Sequence, residues 1–307
     1  MNADALAVAF AAVRRQLPGT VPDGWLPAVQ GAVGHVAGMR AADGTPLVVK
    51  VYAAQGARDR LRTELLALSL ARPVVPVPTV VLHSELADRS ASGFVLMTRL
   101  PGARWADLRP QLDTATSSAL AAQTGRLLRR LHAVRGARFG DLLAPGFTTA
   151  WERVAGRRES ALAQYLRSGG SARIAGRVTQ FVDAARSAIE SCSAPALCHH
   201  DVIDGNLLLT GATRRQITGL VDLERATWDD PLSDLAQTRV HVEFHRPADV
   251  APLLDAYGPR TPDEHRRLDV HDVLHRVRER ARIATDRPAG WEGSVAALDA
   301  AVDERTR

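Results

Sequence analysis

The sequence predicts an α+β protein in two parts: a β-rich N-terminal lobe with one main helix, then a mostly helical C-terminal lobe. Three observations predict it. Residues 46–52 alternate in a β-branched run behind an Asp43-Gly44 turn, the pattern of a strand leaving a hairpin. Prolines at 73, 76 and 78 and the Pro101-Gly102 pair punctuate residues 73–102, so short elements fill that stretch. Beyond residue 114, Leu120, Leu127, Leu128, Leu131 and Val134 recur at helical spacing. The lobe boundary is therefore placed at Pro101-Gly102, giving lobes 1–100 and 101–307.

In order, residues 1–18 read as an amphipathic helix and 28–52 as strands, with glycines at 31, 34 and 38 in the first hairpin. Residues 58–72 form the main helix of this lobe, with Leu61, Leu65, Leu68 and Leu66 on its apolar face and Glu64 among them. Further strands occupy 79–83 and 93–100. After the helix at 114–134 the chain is helical except for short strands at 207–210 and 217–222. An α+β arrangement of this kind leaves a cleft between lobes as the expected ligand site.

At 46% hydrophobic over 307 residues the chain can bury a core, which excludes a disordered protein. The net charge of +5 is too modest for a nucleic-acid charge density. The arginines at 266, 267 and 276–282 alternate with acids and apolar residues, as on a solvated helix face. Two cysteines, Cys192 and Cys198, make no disulfide framework or CxxC pair, and a reducing cytoplasm fits them best. The apolar run from Ala5 to Val13 is short and carries its arginines on the wrong side for a signal peptide. No apolar stretch is long enough to span a membrane.

A chain that writes nearly every cation as arginine has one lysine, Lys50, in the strand Leu47-Val48-Val49-Lys50-Val51-Tyr52. An ammonium is a compact point charge that enters a tight phosphate site from one side, where a guanidinium presents a planar fork. Downstream, His199-His200-Asp201 is followed by Asn206 and, sixteen residues later, by Asp222 in Leu220-Val221-Asp222-Leu223-Glu224. This spacing suits phosphoryl transfer. The first aspartate meets a substrate hydroxyl, while the asparagine and second aspartate offer oxygens to Mg2+ on nucleotide phosphates.

These residues resemble the aminoglycoside phosphotransferases, small-molecule kinases with a bilobal protein-kinase-like fold, over nearly the whole chain. The family's strand lysine matches Lys50, and its partner glutamate matches Glu64. Its His-Gly-Asp-x4-Asn loop matches His199, Asp201 and Asn206, its metal-binding aspartate matches Asp222, and its Asp-Pro-x-x-Asp-Leu-Ala appears as Asp230 to Ala236. The stretch from Met97 to Trp105, the helix end at His132 and the strand Ile217–Asp222 look most like the hygromycin B phosphotransferases. One departure is His200, where glycine is usual.

The resemblance implies catalysis by Asp201, Mg2+ on Asn206 and Asp222, and Lys50 on the nucleotide phosphates, positioned by Glu64. It places the base of ATP, or GTP, beside the backbone of Thr98 and Leu100, between Met97, Val48, Leu208 and Val221. His199, Asp230 and Asp234 are expected to hold the loop and a helix start through hydrogen bonds. From His199 to Asp263 there are eleven carboxylates to six arginines, an acidic floor suited to a cationic aminoglycoside. Asp204, Glu224, Asp229 and Glu243 are the candidate substrate contacts, and Trp228 could stack on a sugar. The expectation is resistance to a hygromycin B-like antibiotic, by a monomer or dimer with no nucleic-acid or membrane partner. A kinase of choline, a fructosamine, a homoserine-like compound or a sugar on the same fold is the alternative.

Overall fold

The computed structural model describes residues 3–30, 34–52, 57–86, 91–211 and 215–307. Along the chain run α1 (Ala3–Gln16), β1 (Val21–Pro22), β2 (Gly34–Arg40), β3 (Pro46–Tyr52), α2 (Arg58–Ala71), β4 (Val80–Glu85) and β5 (Gly93–Thr98). Next come β6 (Ala103–Arg104), α3 (Trp105–Leu108), α4 (Thr114–Leu131), β7 (Gly140–Asp141), α5 (Ala150–Arg167), α6 (Ala172–Ala184) and α7 (Arg186–Glu190). Four strands come after these helices, β8 (Ala196–Cys198), β9 (Leu207–Thr210), β10 (Gln216–Leu220) and β11 (Thr227–Asp229). The last helices are α8 (Pro231–His245), α9 (Val250–Tyr257), α10 (Pro262–Asp286) and α11 (Trp291–Arg305).

The chain divides into two compact units, residues 1–111 with 204–226, and residues 112–203 with 227–307. The sequence placed the division at residue 101, and two stretches cross it. Strand β6, directly after Pro101-Gly102, pairs antiparallel with β9, which pairs with β10, so the β9–β10 hairpin belongs to the first unit. Gly102 has φ +115°, and a Cβ there would stand 2.5 Å from the Leu209 carbonyl. Only glycine lets β6 approach β9 this closely.

The first unit is built on an antiparallel sheet of order β1-β2-β3-β5-β4. Alternation along β3 sends Leu47, Val49 and Val51 to one face, where they pack with Ala5, Leu6, Ala9, Ala12 and Val13 of α1. Lys50 and Tyr52 point the other way, toward Glu64 of α2. The buried stripe of α2 is Leu61, Glu64, Ala67, Leu68 and Ala71. Leu66, expected on that face, is exposed, because Glu64 and Ala67 hold the stripe one helical position away from it.

The second unit has a helical core in which α5, α6, α7, α10 and α11 bury Val154, Tyr165, Val178, Ile189, Val273 and Val277 among others. A small sheet of order β7-β11-β8 accompanies it. These strands, two or three residues long, leave no trace in the sequence because they are too short for any period to show. Asp230 caps α8, accepting from the Leu232 amide at 3.0 Å ahead of Pro231 in the first turn. Among the described residues no helix is long and apolar enough to cross a membrane.

Candidate active site

In the first unit, Lys50 is the centre of a carboxylate cluster. Its Nζ donates to Glu64 Oε2 at 2.6 Å and to Asp222 Oδ1 at 2.5 Å, and lies 3.0 Å from Glu224 Oε2. Tyr52, two residues along β3 and so on the same face, donates its hydroxyl to Glu64. Arg60, one turn before Glu64, donates to Glu224 Oε1 at 2.8 Å. Burial alone would lower the lysine's pKa, but Glu64 and the other acids outweigh it and hold the ammonium well above its usual range. Burial, against the pull of Lys50, raises the Glu64 carboxyl.

Asp222 follows β10 with φ +70°, a left-handed conformation that costs an aspartate little relative to bulkier residues. The Val221 amide donates to the Asn206 carbonyl at 3.0 Å, which ties together the peptides bearing the two expected metal ligands. Oxygens of Glu64, Asp222 and Glu224 lie within 4.8 Å of one another. Two cations, Lys50 and Arg60, face these three carboxylates. Glu64 and Glu224 are taken by Lys50 and Arg60, while the half-exposed Asp222 offers the hard carboxylate oxygen that suits Mg2+.

The candidate nucleotide residues fall in the same unit. Val48 and Met97 are directly paired on β3 and β5. Leu208 points to the face of β9 opposite buried Leu207 and Leu209, where Gly219 admits the Leu100 side chain that a Cβ would meet at 2.7 Å. The Thr98 amide is already committed to the Thr79 carbonyl at 2.9 Å. Leu100, the other residue expected beside the base, makes no backbone hydrogen bond among the described residues. Of the glycine hairpin, residues 31–33 lie outside the described residues. Gly34 opens β2 opposite Tyr52, and a Cβ on it would press on the Lys50 Cε at 3.3 Å. The Gln30 side chain donates to the Val36 carbonyl at 2.9 Å and accepts from its amide at 2.8 Å, pinning the hairpin's entry to β2.

In the second unit the loop after β8 carries His199, His200 and Asp201. The Asp234 carboxylate accepts from the His199 amide at 2.7 Å and the His200 amide at 2.9 Å, and His132 Nε2 is 3.2 Å away. Burial would raise the Asp234 carboxyl, but His132 and neighbouring histidines hold it well below the carboxylate range. The expectation that Asp230 and Asp234 bind backbone amides is met atom by atom. His200 has φ +58°, which explains why glycine is usual there. The Asp201 carbonyl accepts from the Ile203 amide at 2.9 Å, turning the loop immediately after the aspartate.

The four acids offered as substrate contacts do not form an open floor. Asp204 is ion-paired with Arg109 at 2.8 Å, and Glu224 belongs to the Lys50 cluster. Asp229 is fully buried between Arg153 at 3.1 Å and Arg157 at 2.8 Å. Glu243 pairs with Arg276 and with Arg305. Trp228 packs against Gly136, where a Cβ would meet its ring at 2.5 Å. Sequence reasoning missed the partners. Tyr52 and Arg60 were findable from strand and helix spacing around Lys50 and Glu64, whereas Arg153 and Arg157 lie 76 and 72 residues from Asp229. The arginines of α10 also turn inward: Arg267 to Asp230, Arg276 to Asp272 and Arg280 to Asp299.

Several solved structures share this architecture. A thermostable mutant of aminoglycoside phosphotransferase APH(4)-Ia, in a ternary complex with ADP and hygromycin B, superposes with a TM-score of 0.69 at 17% identity over 97% of each chain. The GDP complex of aminoglycoside 2'-phosphotransferase-IIIa gives 0.67 at 16% identity over 99% of this chain and 98% of that one. Macrolide 2'-phosphotransferase MphH from Brachybacterium faecium gives 0.59 at 20% identity over 97% of each. These likenesses establish the bilobal kinase-like fold. No curated protein matches the sequence. The model of the APH phosphotransferase enzyme family matches residues 39–270, a span that holds the Lys50 cluster and the Asp201 loop alike, and the chain belongs to the phosphotransferase enzyme family.

Proposed function

We propose that the protein transfers the γ-phosphoryl group of ATP or GTP, with Mg2+, to a hydroxyl of an aminoglycoside, as a resistance enzyme of the hygromycin B type. The observation that carries the transfer is the lone lysine bonded at once to Glu64 and Asp222, far apart in sequence and needed together at nucleotide phosphates. Asn206 and Asp222 would hold Mg2+, which when bound neutralises charge on the phosphates. Lys50, steadied by Glu64 and Tyr52, supplies a fixed positive charge for the nucleotide.

Asp201 orients the acceptor hydroxyl and takes its proton as the oxygen bonds to the γ-phosphorus. The bond from that phosphorus to the bridging oxygen breaks, and the nucleoside diphosphate leaves. The loose transition state asks more of alignment and fixed charge than of strong basicity. Support for the acceptor class comes from relatives described in complex with hygromycin B and with kanamycin.

A second reading has its own observation: all four expected substrate acids are paired with the protein's own cations. That favours an acceptor with fewer positive charges, of which a macrolide is one and the choline, sugar or amino-alcohol classes are others. Nucleotide turnover with Mg2+ against aminoglycosides, a macrolide and amino alcohols separates the readings. Turnover dependent on an aminoglycoside, with a product heavier by one phosphate and loss of about 10³-fold or more in Asp201→Ala, is the expected result. Turnover stimulated by the other classes alone overturns the aminoglycoside reading.

A further inference from the structure

His200 occupies a glycine position with a left-handed backbone, φ +58°, which costs a non-glycine residue about 1–2 kcal/mol. Its side chain is not turned out to solvent. Nε2 lies 2.9 Å from Thr227 Oγ1 on β11 and 3.6 Å from Asp229 Oδ2. Asp229 is in turn gripped by Arg153 and Arg157, one turn apart on α5. The other ring nitrogen, Nδ1, is buried without a partner among the described residues. Burial keeps the imidazole neutral by lowering its pKa against the pull of Asp229. The carboxylate beside Nε2 favours the tautomer with its proton there, so Nε2 donates and the bare Nδ1 is the unmet group.

A residue that accepts backbone strain and one unmet ring nitrogen, yet is anchored at its amide and its ring, sits directly before Asp201. We propose that His200 is a positioning residue. It ties the Asp201 peptide to Thr227 of β11 and, through Asp229, to the arginines of α5. A glycine keeps the amide bond to Asp234 and relieves the strain, but has no ring to make the second anchor. The inference rests on Asp201 as the group that meets the acceptor hydroxyl.

The test compares His200→Gly, His200→Gln and Thr227→Val in the full-length protein by thermal melting, amide exchange of residues 199–206, and steady-state kinetics. Glutamine is long enough to reach Thr227, and Thr227→Val removes the anchor without touching His200. The expected result for His200→Gly is an unchanged or raised Tm, faster exchange of the loop, and kcat lowered about tenfold with the nucleotide KM within about twofold. Thr227→Val reproduces the kinetic change, and His200→Gln restores part of it. Exchange and kcat equal to wild type in both His200→Gly and Thr227→Val overturn the proposal. So does a kcat loss that tracks a falling Tm and that glutamine does not relieve. If the loop exchanges faster but Asp201→Ala leaves turnover intact, the tether stands and the catalytic reading of Asp201 is what fails.

Discussion

Lys50→Met keeps the apolar stem and removes the charge at the centre of the carboxylate cluster, and the structure says which acid suffers. The side chain of Asp222 is 37% exposed and can be hydrated. Glu224 retains Arg60. Glu64, 1% exposed, is left with the Tyr52 hydroxyl. Stranding a buried charge costs about 3–5 kcal/mol while it stays ionised. Glu64 has an escape, because burial already raises its pKa and losing the ammonium raises it further, so the carboxyl can take up a proton. A folded-state pKa above the unfolded value gives stability that is complete below the ordinary carboxylate range and lost as pH rises through the folded value. The destabilisation should therefore be about 1–2 kcal/mol near pH 5, where a neutral Glu64 has lost one hydrogen-bonded partner. It should grow to about 3–5 kcal/mol near pH 8. Urea denaturation of wild type and variant at both pH values, with equal m-values, measures this. An equal loss at both would refute the reasoning, since it would mean that Glu64 is not the charge Lys50 holds in place.

Glu224→Gln distinguishes a nucleotide-end role from the substrate-contact role the sequence suggested. With its carboxylate on Lys50 and Arg60, the substitution should raise the nucleotide KM severalfold and leave the acceptor KM within about twofold; initial rates with each substrate varied would show the reverse if it touches acceptor. Acid should unfold the second unit in a defined way. Burial would raise Asp229, Asp230 and Asp234, but Arg157 and His200, His271 and Arg267, and His132 outweigh it and hold all three carboxyls low. Their stabilisation is present above about pH 4 and drains as pH falls further, so Tm should drop steeply there in wild type. In Asp229→Asn the drop should be shallower, and a parallel curve would remove Asp229 from the account. Gly102→Ala should cost about 2 kcal/mol or more, since its Cβ meets a backbone carbonyl at positive φ; an unchanged urea midpoint would contradict the close approach of β6 to β9.

Much of the fold was legible where the signal was local. The β-branched run at 46–52, the strand at 207–210 and the leucine period of α4 each reflect a one-sided hydrophobic demand within a single element. The division into units was not local. Residues 204–226 join the first unit because β9 pairs with β6 about a hundred residues earlier, and nothing in either segment announces its partner. Lys50, Glu64 and Asp222 stood out because the residue types are chemically unusual where they stand, and the structure brings these three side chains together. Asp229 was misread for the opposite reason: an aspartate in a strand end reads as a candidate contact until Arg153 and Arg157 are seen to close on it from α5.

The contrast between Lys50 and the arginines makes the composition itself an argument about the site. Two of the buried carboxylates elsewhere are met by guanidinium forks: Asp229 by two arginines, and Asp272 by Arg239, Arg276 and Arg305. A fork commits its donors to one plane and suits a fixed pair. Lys50 instead touches three carboxylates from different segments, a convergence that a compact ammonium with three rotatable donors can serve and a planar group cannot. If it binds a nucleotide as proposed, its ammonium would turn donors from Asp222 and Glu224 to phosphate oxygens while keeping Glu64. On this reasoning Lys50→Arg should fold better than Lys50→Met and still lose most of its activity, because charge is restored and the three-way geometry is not. An arginine variant with wild-type kcat would show that the sequence kept its lysine for no physical reason at this position.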